Sequence, residues 1–129
     1  MSSWNSIEDI DVWKLARELT QEVFKLTYLT PLQRDFALKD QMNRSSGSIM
    51  DNIAEGFGRG GNKEFIVFLG YSKGSSQELK SQLIRCFDRK YITDTELSNL
   101  KQKITEIDNK IGALIAYLKK SNFKGLKFK

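Results

Sequence analysis

The sequence predicts an all-α chain folded as an antiparallel, up-down-up-down four-helix bundle. Three observations carry this. Apolar residues recur at alternating three- and four-residue spacings through four long segments. Residues that start and stop helices fall between those segments. The 129-residue chain has a single proline, Pro31, where a sheet-rich chain would carry more proline and Asn-Gly punctuation.

The first helix is expected over about residues 10–28. Val12, Ala16, Leu19, Val23 and Leu26 lie along one stripe, and Asp9 or Asp11 suits the positive N-terminal end. Trp13, Leu15 and Phe24 widen its apolar surface, so it should touch more than one neighbour. The second helix is expected over 31–57. Thr30 is a good N-cap, Pro31 suits the first helical position, and Gln33 can reach back to the cap.

Glycine gathers in the middle of the chain, at Gly47, Gly56, Gly58, Gly60, Gly61, Gly70 and Gly74. RSSGS at 44–48 therefore has the composition of a linker. Yet the stripe Leu38, Met42, Ser45, Ile49, Ile53 keeps its phase straight through it, which a linker has no reason to do. These weak helix formers cost roughly 0.5–1 kcal/mol each relative to alanine. The reading adopted is a small-residue waist where another helix backbone comes close, so that packing outweighs propensity. The helix should stop at Gly58, Gly60 and Gly61, which take turn or left-handed conformations freely.

Asn62 is the expected N-cap of a third helix over 63–90, with Glu64 in its first turn. Its stripe is Phe65, Leu69, Ser72, Ser76, Leu79, Leu83 and Cys86, again with a small-residue middle. TDTE at 93–96 is a capping box flanked by an Ile92–Leu97 hydrophobic staple. The fourth helix, 94–120, runs through Leu97, Leu100, Ile104, Ile107, Ile111, Leu114 and Leu118 in unbroken heptads. Residues 1–120 thus form one bundle domain. Residues 121–129 are read as a basic, flexible tail.

GFGRGG matches G-x-G-x-x-G, but a dinucleotide site needs a preceding strand, and a helical pattern precedes it here. A Walker loop fails because Asn62 intervenes before Lys63 and Glu64 occupies the Ser/Thr place. The chain has no histidine and one cysteine, Cys86. That removes the commonest general base, the usual nucleophile pairs, the usual zinc sites and any internal disulfide. Asp51, Glu55 and Glu64 surround the turn and Glu78 lies further along. Di-metal bundles want Glu-x-x-His on two helices, which is missing. The alternative reading is that Asn52, Glu55 and Glu78 tie helices together or cap backbone groups. No enzyme activity, cofactor or metal is expected. No apolar run approaches a membrane span, and the polar, acidic N-terminal stretch is unlike a signal peptide, so a cytoplasmic location without membrane partners is expected.

The net charge of +5 has a location. The last eleven residues hold Lys119, Lys120, Lys124, Lys127 and Lys129 and no acid, while the other 118 residues balance 16 basic against 16 acidic side chains. Phe123 and Phe128 interleave those lysines, a composition suited to phosphates and stacked bases. Arg44, Arg59, Lys63, Arg85, Arg89 and Lys90 are either solvated charge or a phosphate-binding patch.

Four stretches carry a family resemblance: DIDVWKLARELTQEVFKLT, Gln41 to Ser48 before Ile49, NIAEGFGR at 52–59, and KEFIVFLGYSKGSSQELKSQL from Lys63. Together they resemble the small bacterial four-helix-bundle proteins associated with 23S rRNA intervening sequences. Relatives of these include the accessory variability protein of diversity-generating retroelements. The resemblance covers about residues 8–118. It implies a ring-shaped homopentamer with a basic surface, associated with structured RNA or, in the retroelement relatives, with nucleic acid and a reverse transcriptase. It implies no established catalytic activity. On it, Arg44 and Arg59 are basic contacts, and Asn52, Glu55, Gly56, Gly58 and Glu78 belong to the structural motif. Family members often have two adjacent basic residues where this chain has Asn43-Arg44, and basic or serine residues where it has Gly60-Gly61; both departures remove positive charge.

The leading expectation is a non-enzymatic, oligomeric, RNA- or ribonucleoprotein-binding module using Arg44, Arg59, Lys63 and the five C-terminal lysines. The alternative is a protein-interaction scaffold, such as a reverse-transcriptase accessory protein, without direct nucleic-acid contact.

Overall fold

The computed structural model describes residues 4–121. Those residues form four helices: α1 (Asp11–Leu29), α2 (Phe36–Arg59), α3 (Asn62–Asp88) and α4 (Asp94–Lys120). Short 3-10 turns precede α1 (Ile7–Asp9) and α2 (Pro31–Arg34), and no strand occurs among the described residues. Successive helices run antiparallel. α1 packs against α2 and α4, and α3 completes the bundle between α2 and α4.

The four apolar stripes meet in one core. Ala16, Leu19 and Val23 of α1, Met42, Ile49 and Ile53 of α2, Leu69, Leu79 and Leu83 of α3, and Ile111 of α4 have no solvent exposure. Trp13 is buried among them, whereas Phe24 on the same helix is 56% exposed.

Several helix ends differ from the sequence-based expectation. Thr30 does cap, but it caps a single 3-10 turn: its Oγ1 accepts from Leu32 N at 3.2 Å while donating to Leu26 O at 2.6 Å. Gln33 answers only with its backbone N–H, to Thr30 O. The turn buries Leu32 fully and then breaks, because Asp35 provides a second cap whose Oδ1 accepts from Leu38 N at 3.3 Å. α2 therefore starts at Phe36, not at residue 31. At its other end α2 runs through Gly58 to Arg59. Gly60, at φ 87°, is the left-handed residue that stops it. Gly61 takes the N-cap place of α3. Asn62 is the first helical residue, and its side chain serves another helix: Nδ2 donates to Leu118 O at 2.7 Å and Ser121 O at 3.2 Å, closing the C-terminus of α4. α3 ends at Asp88, and Lys90 (φ 64°) turns the chain. Ahead of α1, Asp9 belongs to the 3-10 turn, where its carboxylate accepts from Asn5 N and Ser6 N. The Thr93–Glu96 capping box starts α4, with Ile92 and Leu97 both buried beside it.

The waist exists, but serines rather than glycines build it. Ser46, Ser72 and Ser76 have no exposure. Ser72 Oγ donates to Ile49 O at 2.5 Å, and the Ser48 and Ser75 hydroxyls share a bond of 2.8 Å, both joining α2 to α3. Thr20 Oγ1 joins α1 to α2 at Ser46 O (3.1 Å). Ser76 and Gln77 both bond the Asp108 carboxylate of α4. A Cβ added at Gly47, Gly70 or Gly74 would meet nothing within 4 Å, so these glycines answer no close approach within the chain. Gly56 does: a Cβ there would lie 2.8 Å from Phe68 Cβ, 2.9 Å from Phe65 Cδ1 and 3.3 Å from Phe65 Cα.

At the opposite end, Asp35 Oδ2 accepts from Arg89 Nη1 (2.6 Å) and from the Tyr91 hydroxyl (2.9 Å). One carboxylate thus holds the start of α2, the end of α3 and the α3–α4 connection. The Tyr91 hydrogen bond, then Arg89, hold the Asp35 carboxyl below the usual carboxylate range.

Gly56→Ala should destabilise the fold by about 1–3 kcal/mol, because overpacking exceeds the gain in helix propensity. Gly58→Ala, where a Cβ meets nothing, should instead be neutral or stabilising by up to ~1 kcal/mol. Urea unfolding of the two variants beside wild type reads both signs. The lowered Asp35 value means that folding favours the charged form. Its contribution is complete above the ordinary carboxyl pKa of about 4 and is lost as pH falls through the lower folded value. Asp35→Asn should therefore flatten the fall of the thermal midpoint in acid; parallel wild-type and variant pH profiles would contradict this.

Candidate functional site

The predicted basic residues fall into two groups. Arg59 lies in the last turn of α2, where the helix dipole favours a cation. Its Nε pairs with Glu55 Oε2 at 2.9 Å, its Nη1 lies 3.9 Å from Glu64 Oε2, and its guanidinium sits 5.0 Å from the centre of the Phe68 ring. The side chain is still half-exposed. Lys63 is exposed in the first turn of α3, and Lys119 and Lys120 are exposed in the last turn of α4. The bond from Asn62 to Leu118 O brings those two ends together. Arg59, Lys63, Lys119 and Lys120 thus share one end of the bundle. Lys124, Lys127 and Lys129 lie outside the described residues.

Arg44 is elsewhere, fifteen residues and so about 22 Å back along α2. It is 81% exposed and pairs with Asp40 at 2.9 Å. Such an exposed pair contributes only ~0–1 kcal/mol, so an incoming anion can displace it. Arg44 stands at the edge of a cleft of about 560 Å³ between α2 and α3. Across it, Arg85 Nη2 donates to Gln41 Oε1 at 2.8 Å. Ser45 and Ser48 lie on the α2 side, Glu78, Ser81 and Gln82 on the α3 side.

The motif residues take distinct places. Asn52 Nδ2 donates to Ser48 O and Ser48 Oγ, both at 2.9 Å, and so supports the Ser48–Ser75 bridge between helices. Glu55 pairs within its own helix with Arg59. Gly56 is the contact point of α2 and α3, while Gly58 is an exposed position inside α2. Glu78 neither ties helices nor caps backbone: it is an exposed carboxylate on the cleft wall, unpaired among the described residues. Of the other basic candidates, Arg89 is engaged by Asp35.

Gln82 was not singled out from the sequence. It is 7% exposed, and its Oε1 is buried without a hydrogen-bond partner. The signal was present: residue 82 lies three after Leu79 and four before Cys86, a stripe position holding an amide.

Among the described residues no three His, Cys, Asp or Glu side chains gather where they could hold a metal ion, and no helix is long and apolar enough to cross a membrane. Cys86 is fully buried, 3.9 Å from Met42 Sδ; burial, reinforced by the nearby Asp35 charge, pushes its thiol up to about 11. It is protonated at neutral pH and a poor nucleophile. Exposed apolar side chains remain on α1, α2 and α3, among them Phe36 at the start of α2 and Ile84 and Phe87 near the end of α3. Phe24 and Tyr28 stack edge-on near Leu29 at the end of α1, and Val67 and Tyr71 face outward on α3.

A family model described as 23S rRNA-intervening sequence protein matches residues 8–113. Among solved structures, the chain is similar to a protein with unknown function from the S23 ribosomal protein family of Bacteroides thetaiotaomicron VPI-5482. The two are 24% identical, the match covers 84% of this chain and 97% of that one, and the TM-score is 0.77. That likeness shows the shared four-helix fold. No curated protein matches the chain.

Proposed function

We propose, for a chain that belongs to the 23S rRNA-intervening sequence protein family, a non-enzymatic role as an oligomeric module that binds structured RNA or a ribonucleoprotein. The observation that carries this is the meeting of Arg59, Lys63, Lys119 and Lys120 at one end of the bundle, directly before the remaining lysines of the chain. Residues 1–118, which include Arg59 and Lys63, balance 16 basic against 16 acidic side chains, so the excess positive charge comes from the lysines that follow and gathers at that end. One end with a few cations binds weakly. Several copies in a homopentameric ring present the same end repeatedly and gain through effective concentration. The absence of histidine fits a role in binding rather than in acid–base catalysis. The module works in the cytoplasm, with RNA as its partner.

The second reading is a protein-interaction scaffold, for example an accessory to a reverse transcriptase. The exposed Phe24, Tyr28 and Leu29 of α1 favour it, because they form an apolar surface away from the basic end.

Affinity for a structured RNA, measured against salt concentration, should fall steeply. The double variant Arg59→Ala/Lys63→Ala should reduce the log–log slope by about 1 per lost phosphate contact, and removal of residues 119–129 should reduce it further. Salt-insensitive binding, or none, favours the scaffold. Light scattering should give about five times the 14.8 kDa chain mass; a monomer would remove the multivalent part of the proposal.

A further inference from the structure

We infer that the cleft between α2 and α3 is a binding site for a single guanine nucleotide. Its size suits one: about 560 Å³, within the range of small-molecule pockets. Its chemistry is more selective than its size. Gln82 is buried on the cleft wall, and its Oε1 has no hydrogen-bond partner within the chain, so the amide has capacity left for a ligand. The terminal amide torsion is soft, so a small rotation presents Oε1 or Nε2 to the cleft. Glu78 adds a carboxylate unpaired among the described residues. Arg44 and Arg85 stand at the same cleft, one held by an exposed ion pair and the other by a neutral amide, so both are available to an anion.

A ligand matching this set carries adjacent hydrogen-bond donors for Glu78, a further polar edge for Gln82, and a negative group for the arginines. Guanine presents N1–H and the N2 amino group side by side, with O6 as an acceptor beside them. Adenine places an acceptor, N1, where guanine has its N1–H and would face the carboxylate with a lone pair. Uracil offers one donor between two acceptors. Cytosine offers an amino group beside an acceptor. The phosphate of the same nucleotide meets Arg44 or Arg85, and a guanidinium plane can also stack on the base. No bond is made or broken.

Such a nucleotide has two sources: free guanosine monophosphate, or a guanine splayed out of an RNA loop. The second rests on the RNA-binding reading above; the chemistry of the cleft does not.

The test is calorimetric titration of the full chain with GMP, AMP, CMP, UMP, inosine monophosphate and guanosine, with amide chemical shifts to locate each. GMP should bind at least tenfold more tightly than the other three standard nucleotides and shift residues around Ser48, Glu78 and Gln82. Inosine monophosphate, lacking the N2 amino group, should fall between. Glu78→Gln, at an exposed unpaired position, should keep the wild-type unfolding midpoint yet lose at least tenfold in GMP affinity. Arg85→Ala should weaken GMP more than guanosine. Equal affinity for GMP and AMP, an unaffected Glu78→Gln variant, or no cleft shifts at millimolar GMP would each overturn the inference.

An RNA hairpin carrying one loop guanine, and its inosine counterpart, separates the sources. A weaker inosine hairpin places the RNA base in the cleft, whereas equal hairpins with selective GMP binding assign the free nucleotide. Salt-dependent RNA binding without any GMP response leaves the RNA reading standing and removes the cleft. Selective GMP binding without RNA binding does the reverse.

Discussion

Two helix backbones approach closely only where the side chains between them are small, and small polar side chains buried there need partners. The contact between α2 and α3 meets both conditions together. Gly56 lets Phe65 and Phe68 lie against the α2 backbone. Further along, Ser72 bonds a main-chain carbonyl of α2, and Ser48 bonds Ser75. A hydroxyl buried without a partner costs about 1–3 kcal/mol, so the serines are tolerable only in this arrangement. α1 and α4 then attach through the same zone, by Thr20 and by Asp108. The cleft follows from it as well. Where the small residues give way to Gln41, Arg44, Glu78 and Arg85, the same two helices leave a polar groove between them.

The parts of the fold legible in the sequence are those governed by local periodicity. Each apolar stripe needs only residues three and four apart, and each became a buried face. The Thr93–Glu96 box is equally local, since both partners lie within one turn. The failures share a cause: residues with two candidate partners, one near and one far. Asn62 reads as an N-cap because the near role is visible, yet its amide is used by carbonyls 56 residues and more away. At Asp35 the local pattern misleads, because Thr30-Pro31 is the stronger start signal in sequence. The Asp35 carboxylate prevails by collecting Arg89 and Tyr91 from the end of α3 and beyond. The stripes already set Ser45, Ser72 and Ser76 on the buried faces and leave Gly47, Gly70 and Gly74 off them; periodicity does not give the partner that each hydroxyl finds across the helix contact. The candidate sites divide in the same way. The lysine-rich end is compositional and so was readable. The cleft depends on the spacing between two helices and was not.

Charge is distributed unevenly over the bundle. The end with Arg59, Lys63, Lys119 and Lys120 offers cations around a helix junction, a surface suited to phosphates of any sequence. The α2–α3 cleft is mixed in sign, with hydroxyls, amides and a carboxylate beside its two arginines. The exposed Phe24, Tyr28 and Leu29 of α1 lie toward the other end of the bundle, whereas Val67 of α3 lies one turn from Lys63 and Tyr71 packs edge-on against Phe68, the ring beside Arg59. Arg59 shows how the first surface is tempered: Glu55 and Glu64 hold the guanidinium near Phe68 and offset part of its charge.

Asp108 carries a consequence for the uniqueness of the bundle. The α4 seam repeats leucine or isoleucine every three and four residues from Leu97 to Leu118. A helix with that pattern looks nearly the same to its neighbours after sliding by seven residues, about 10 Å along the axis. Apolar packing alone is therefore almost degenerate with respect to axial slip. Asp108, next to Ile107 and off the seam, breaks this degeneracy: its carboxylate meets Ser76 and Gln77 of α3. A slipped alternative loses both bonds: Ser76 keeps only Lys73 O of its own helix, and the half-buried carboxylate loses its partners on α3. Asp108 near the middle of the repetitive helix and Asn62 at its end thereby favour the same longitudinal registration, and with it the positions of Lys119 and Lys120 relative to Arg59.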